Sequence, residues 1–123
     1  MILAYIAGKY RDKEVYKIKL NINQAEIFGM DVALLGVYPV IPHMNTPLWD
    51  GLCSQEFFLE GTLELSRRCD ILIAMPSWKT SEGSIGEIAE AKRMNKPVFY
   101  SIEELNQWLT NQKNELQLPT LPA

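Results

Sequence analysis

The densest run of groups able to do chemistry is Ser77-Trp78-Lys79-Thr80-Ser81-Glu82-Gly83-Ser84-Ile85-Gly86-Glu87. It follows a short apolar run and opens a stretch of helical character. Ser81, Gly83 and Ser84 at a helix start leave backbone N–H groups free where the macrodipole favours an anion, so a phosphate could sit there. The same residues also make an ordinary N-cap with a turn glycine. The run lacks both the glycine-lysine-serine/threonine ending of a P-loop and the spacing of a dinucleotide fingerprint. Glu87 falls within about the first turn of that helix. The dipole would keep its carboxylate charged at pH 7, able to attack an electrophilic carbon. It could equally be a surface glutamate complementing the dipole, whose loss would cost at most about 1 kcal/mol.

Other candidates are scattered along the chain. Tyr5 stands near the carboxyl end of an apolar run, as core or with its hydroxyl at a cleft edge. His43 could bind a phosphate or be a polar loop residue. Trp78 could stack on a flat ring or cover a sheet edge. Lys79 and Arg11 could add positive charge. Asp70 opens a strand and reads as structural, pairing with Arg67 or Arg68.

The elements that would position these groups alternate. Residues 2–7 form a nearly continuous apolar run ending in Gly8, as in a strand buried on both faces. Residues 12–35 read as a helix with Val15, Ile18, Ile22, Ala25, Ile27 and Ala33 on its apolar face. Asp12 could cap its start, Gly29 weakens its middle and Gly36 stops it. Residues 37–42 form a strand between prolines, and 43–53 a turn-rich loop with room for one helical turn. Residues 54–68 form a helix, 71–75 a strand, 76–82 a polar loop and 83–94 a helix ended by Asn95. Residues 97–100 form a last strand. Ser101 and Glu104 make a capping box for a helix over 102–112, and 114–123 form a tail. Alternation of this kind predicts one α/β domain over 1–113, a three-layer sandwich around a mainly parallel sheet of four to five strands. In such sheets ligands bind beyond the carboxyl ends of the strands. That selects residues 8–11, 42–50, 76–87 and 100–101.

Composition narrows the function classes. The chain has 123 residues, 47% hydrophobic and 22% charged, which suits a globular domain rather than a disordered chain or a coiled coil. A net charge of −3 argues against a nucleic-acid polymer as partner. Two cysteines and one histidine are too few for a zinc site, and Cys53 and Cys69 suit a reducing compartment. No segment has the roughly 20 apolar residues of a membrane helix, and the N-terminal apolar run precedes rather than follows its charge, unlike a secretory signal. The expectation is a cytoplasmic protein.

Tyr5-Ile6-Ala7-Gly8 with Arg11 resembles the first strand and loop of the nucleoside 2-deoxyribosyltransferase superfamily. Cys69-Asp70-Ile71-Leu72-Ile73-Ala74-Met75-Pro76, Ser81-x-Gly83-x-x-x-Glu87, Ala91 and Lys96-Pro97-Val98 resemble its signature half. The resemblance covers residues 2–100. Pro42-His43 and the Pro76–Gly83 loop are similar to those of small bacterial and phage domains related to the nucleoside 5′-monophosphate N-glycosidases. The resemblance implies a flavodoxin-like or Rossmann-like fold. It implies that Glu87 attacks the anomeric carbon of a 2-deoxyribosyl group and expels the base, and that water or a second base resolves the covalent intermediate. Tyr5 would orient the carboxylate. Ser81 stands where the monophosphate N-glycosidases carry a phosphate-binding serine and the transferases an aspartate.

The ligand implied is a nucleoside or nucleoside 5′-monophosphate, with Gly8, Arg11, His43, Trp78, Ser81, Gly83 and Ser84 in its site and no metal or organic cofactor. One position departs from the pattern. Thr62 stands where the monophosphate N-glycosidases carry an acid–base aspartate, and a hydroxyl cannot supply that proton at neutral pH. Glu60, Glu64 and Asp50 are candidate substitutes, with Glu56 nearby on the same helix. Without one, the chain would bind a nucleotide without cleaving it. Relatives complete their sites with a neighbouring subunit. With Trp49, Trp78 and Trp108 as exposed aromatics, the expectation is a homodimer or higher homo-oligomer.

Overall fold

The computed structural model describes residues 1–117. Its order is β1 (Leu3–Ala7), α1 (Val15–Leu34), β2 (Tyr38–Val40), α2 (Pro42–Asn45), α3 (Gln55–Arg67) and β3 (Ile71–Ala74). A 3-10 turn (Pro76–Thr80), α4 (Glu82–Arg93), β4 (Val98–Phe99) and α5 (Ile102–Gln117) follow. The four strands pair in parallel in the order β2-β1-β3-β4. This is an α/β, flavodoxin-like three-layer sandwich. Strand alternation sorts the side chains. Ala4, Ile6, Ile71 and Ile73 join α1 and α5 in one core layer. Tyr5, Ala7, Leu72 and Ala74 join Ile88 and Ala91 of α4 in the other. That parity aims Tyr5 at α4, and it sets the site's chemistry.

Local signals fix the helix ends. Gly36 takes φ 85° just past α1, where a side chain would be strained. Asn95 takes φ 58° after α4, with its N–H on the Lys92 carbonyl and that of Lys96 on Ala91, a Schellman closure. Ser54 Oγ caps α3 by accepting from Phe57 N at 3.2 Å. Ser101 Oγ accepts from Glu104 N, while the Glu104 carboxylate reaches Tyr100 N, one residue earlier than a standard capping box.

Several expectations are corrected. The helix after β1 starts at Val15, and Asp12 instead accepts from Glu14 N in the turn before it. Its buried face is Ile18, Ala25, Gly29 and Val32, so Val15, Ile27 and Ala33 face outward. Small residues win because α1 lies close to the β2 edge. A Cβ on Gly29 would stand 2.3 Å from Ile41 Cδ1. Part of the segment assigned to a tail, residues 114–117, continues α5, since no breaker precedes Pro119. The rest of that tail lies outside the described residues. Trp78 stacks on Tyr100 and Trp108 on Phe99, both with centroids 5.3 Å apart, so these two tryptophans close the domain's own core. Trp49 remains 48% exposed.

The two kinds of helical glycine should separate in stability. Gly29→Val is expected to cost about 1–2 kcal/mol through overpacking against Ile41. Gly61→Ala in α3, where an added Cβ meets nothing within 4 Å, should gain up to about 1 kcal/mol. Urea midpoints of the two variants check both signs.

Candidate functional site

The chain runs from β1 outward to β2, then returns across to β3, so the order reverses between β1 and β3. A cleft of about 660 Å³ opens at the carboxyl ends of these strands, the usual ligand position in an open α/β sheet. Its walls come from the segment after β1 (Gly8 to Arg11), from α2 and the following loop (His43, Asp50), from α3 (Phe58, Thr62) and from the start of α4 (Ser81 to Glu87).

Tyr5 and Glu87 meet in this cleft. The Tyr5 hydroxyl donates to Glu87 Oε2, and the two residues are 1% and 7% exposed. Glu87 sits one turn deeper than a first-turn surface residue, because α4 begins at Glu82. Burial therefore outweighs the dipole. Loss of hydration pushes the carboxyl up to about 7, against the opposing hydrogen bond from Tyr5. The expectation of a fully ionised surface carboxylate is corrected on both points. Burial and the neighbouring Glu87 likewise raise the Tyr5 phenol well above its ordinary value, so it stays a proton donor at neutral pH. Thr62 lines the cleft beside the pair, and its hydroxyl donates to the Leu59 carbonyl at 3.2 Å.

The start of α4 is both a cap and an open donor set. Ser81 Oγ accepts from Ser84 N at 3.2 Å and from Ser84 Oγ at 2.9 Å. Ser84 is 1% exposed and spends both donors on that cap, so its assignment as a phosphate ligand is corrected. The N–H groups of Glu82 and Gly83, the first two of the helix, have no intrahelical partner. The Ser81 hydroxyl proton also remains available. Lys9 and Arg11 line the same cleft, and Arg11 forms no ion pair among the described residues.

His43 serves the loop rather than a phosphate. It is 3% exposed, and burial lowers its pKa, so the ring is neutral at pH 7. Its Nε2–H donates to the carbonyls of Gly8 and Lys9, at 3.1 and 3.2 Å. Nδ1, then an acceptor, has no partner. The ring's one donor is spent on the backbone, which corrects its assignment to phosphate. Gly8 is needed for close approach, since a Cβ would stand 2.4 Å from Met75 Sδ. Trp78 does not line the cleft, correcting its assignment to a ligand ring, and Lys79 lies over the Trp78 indole.

Of the acids considered in place of Thr62, only Asp50 lines the cleft. Its Oδ1 accepts from Tyr10 OH at 2.7 Å, and that hydroxyl accepts from Leu48 N. Glu64 is held by Arg67 and Arg68 on the far side of α3. Asp70 is structural but pairs with neither arginine, because its carboxylate accepts from Leu3 N at 2.8 Å. Tyr10 was not singled out in the sequence. A tyrosine two residues past Gly8, on a loop at a strand's carboxyl end, was the available signal.

Among the described residues no cluster of His, Cys, Asp and Glu is arranged to hold a metal, and no helix is long and apolar enough to cross a membrane. Neither a scan against protein-family models nor a search of the curated proteins finds a match to the chain.

Proposed function

We propose that the chain is an N-glycosidase or deoxyribosyltransferase of the nucleoside 2-deoxyribosyltransferase type, acting on a nucleoside or nucleoside 5′-monophosphate. The observation that carries the reading is the buried Tyr5–Glu87 pair in a cleft that also holds a helix N-terminus and two cations. In the proposed reaction the ionised Glu87 attacks C1′, and the C1′–N bond breaks with its electron pair leaving on the base. The base takes a proton from water or from a group on the Asp50 wall. The resulting glycosyl ester then reacts with water at C1′, releasing the sugar and regenerating the carboxylate, or with a second base. Tyr5 holds the carboxylate in place and steadies its charge in a site that burial disfavours for an anion.

Incubation with a panel of nucleosides and their 5′-monophosphates, followed for free base, tests the reading. Asp50→Asn run in parallel tests proton delivery from that wall. A second reading, a nucleotide-binding module without turnover, is favoured by Thr62 beside the pair in place of an acid. Under it, ligands raise the melting temperature and no base appears.

Phosphate preference is a further expected outcome. The dipole, the Glu82 and Gly83 N–H groups, the Ser81 hydroxyl, Lys9 and Arg11 all favour a 5′-phosphate over a 5′-hydroxyl. The monophosphate should bind at least tenfold tighter than the nucleoside, about 1.4 kcal/mol. The ratio should shrink with salt and in Ser81→Gly, a change that costs the cap only a few tenths of a kcal/mol. Equal affinities by titration calorimetry would leave the start of α4 a plain cap.

A further inference from the structure

The solvent face of α1 carries a pattern that the fold does not use. Tyr16, Leu20, Asn23, Ile27, Met30 and Leu34 are spaced four, three, four, three and four residues apart. That is the seam of a coiled coil, on the side of the helix opposite the buried Ile18, Ala25, Gly29 and Val32. The five apolar members are all more than half exposed, and Leu34 reaches 85%. One asparagine interrupts the seam, the kind of polar residue that fixes register. The charges beside it are segregated. The first half of α1 holds Lys17 and Lys19 with no acid, and the second half holds Glu26 and Asp31 with no base. This distribution opposes the helix's own dipole, which favours acids at the start and bases at the end.

An antiparallel second copy resolves both features. It places the basic half of each helix on the acidic half of the other and opposes the two dipoles. We propose that this face of α1 is a two-fold self-association surface, with a second copy of this chain as its occupant. The register that matches the seam stacks Tyr16 on the partner's Leu34, Leu20 on the partner's Met30 and Asn23 on the partner's Ile27. It sets Lys17 against the partner's Asp31 on both sides. Two juxtapositions are unfavourable: Glu26 lies beside the axis and meets its own copy, and the Asn23 amide faces the partner's Ile27, an apolar side chain. The interface is isologous and therefore closed. It lies on the α1/α5 layer, away from the cleft bounded by α3 and α4, so it is independent of the proposed activity.

Sedimentation equilibrium from 1 to 200 µM tests the proposal. The expected species is twice the 14.1 kDa chain mass. Ile27→Lys should leave a folded monomer, with circular dichroism and melting showing that the domain is intact. Lys17→Asp and Asp31→Lys should each raise the dissociation constant about tenfold at low salt, and the double exchange should restore it. Glu26→Gln should tighten association. A monomer at every concentration overturns the proposal, as does a dimer that Ile27→Lys leaves unchanged.

Discussion

Glu87→Gln is expected to stop base release and, at pH 8, to make the protein more stable by about 3 kcal/mol. Both effects come from one property. The carboxyl is carried from its ordinary value of 4.5 up to about 7 by burial. Below pH 4.5 it is protonated in both the folded and unfolded chain, and burial costs no linkage energy. Between 4.5 and 7 the unfolded chain releases the proton and the folded chain keeps it. Stability therefore falls as pH rises through that window, and the loss is complete above 7. Glutamine imitates the protonated acid. The wild type should lose roughly 3 kcal/mol between pH 4.5 and 8 relative to the variant, with coincident stabilities at the acid end. A nucleophile must be ionised, so base release by the wild type should rise with pH through about 7. Tyr5→Phe removes a donor that favours the anion and should move that midpoint higher. Urea melts of wild type and Glu87→Gln across this range check the stability half without any substrate. Parallel curves would mean that Glu87 is hydrated, and wild-type turnover by Glu87→Gln would remove it from the mechanism.

The strands were legible because each is a short apolar run with a turn signal at its end, and the parity of β1 follows from that. Tyr5 and Ala7 must share a face opposite Ala4 and Ile6. The faces of α1 were not legible, because it has two apolar stripes. Hydrophobicity alone cannot say that Ala25, Gly29 and Val32 go inward while Leu20, Ile27 and Leu34 stay out. The deciding quantity is the narrow space beside Ile41, which belongs to the tertiary structure. The depth of Glu87 was missed for a different reason. It is the fifth residue of a helix starting at Gly83 and the sixth of one starting at Glu82, past the first turn either way. Its burial comes from the β1 side chain Tyr5 and the cleft walls rather than from its place in the helix. His43 was placed beside the cleft by its position after β2. Its role depends on where the Gly8 and Lys9 carbonyls point, and that is set by a loop 34 or 35 residues away in sequence.

Lys96→Met is expected to cost about 2–3 kcal/mol, much for a lysine outside the cleft. The Schellman closure of α4 turns the chain at Asn95 and directs Lys96 toward the end of α3. There its ammonium donates to the carbonyls of Arg67 and Cys69, the latter at 2.6 Å, and approaches that of Ser66 at 3.4 Å. These are last-turn and post-helix carbonyls, at the negative end of the α3 dipole, so charge and hydrogen bonds act together. Packing on α4 also holds α3, with Leu65 against the cluster of Ile88 and Ala91, and the ion pair of Arg67 with Glu90 at 3.1 Å adds a further link. Methionine keeps the stem and removes the charge, so the loss reports the carbonyl contacts rather than packing. Arg93→Gln, which removes an exposed pairing with Glu90, should change stability little. Because α3 carries Phe58 and Thr62 on the cleft wall, Lys96→Met should also speed amide exchange along α3 more than in β1 or β3. Denaturation within 0.5 kcal/mol of wild type, or exchange that rises equally everywhere, would show that α3 is held by its packing on α4 and not by the lysine.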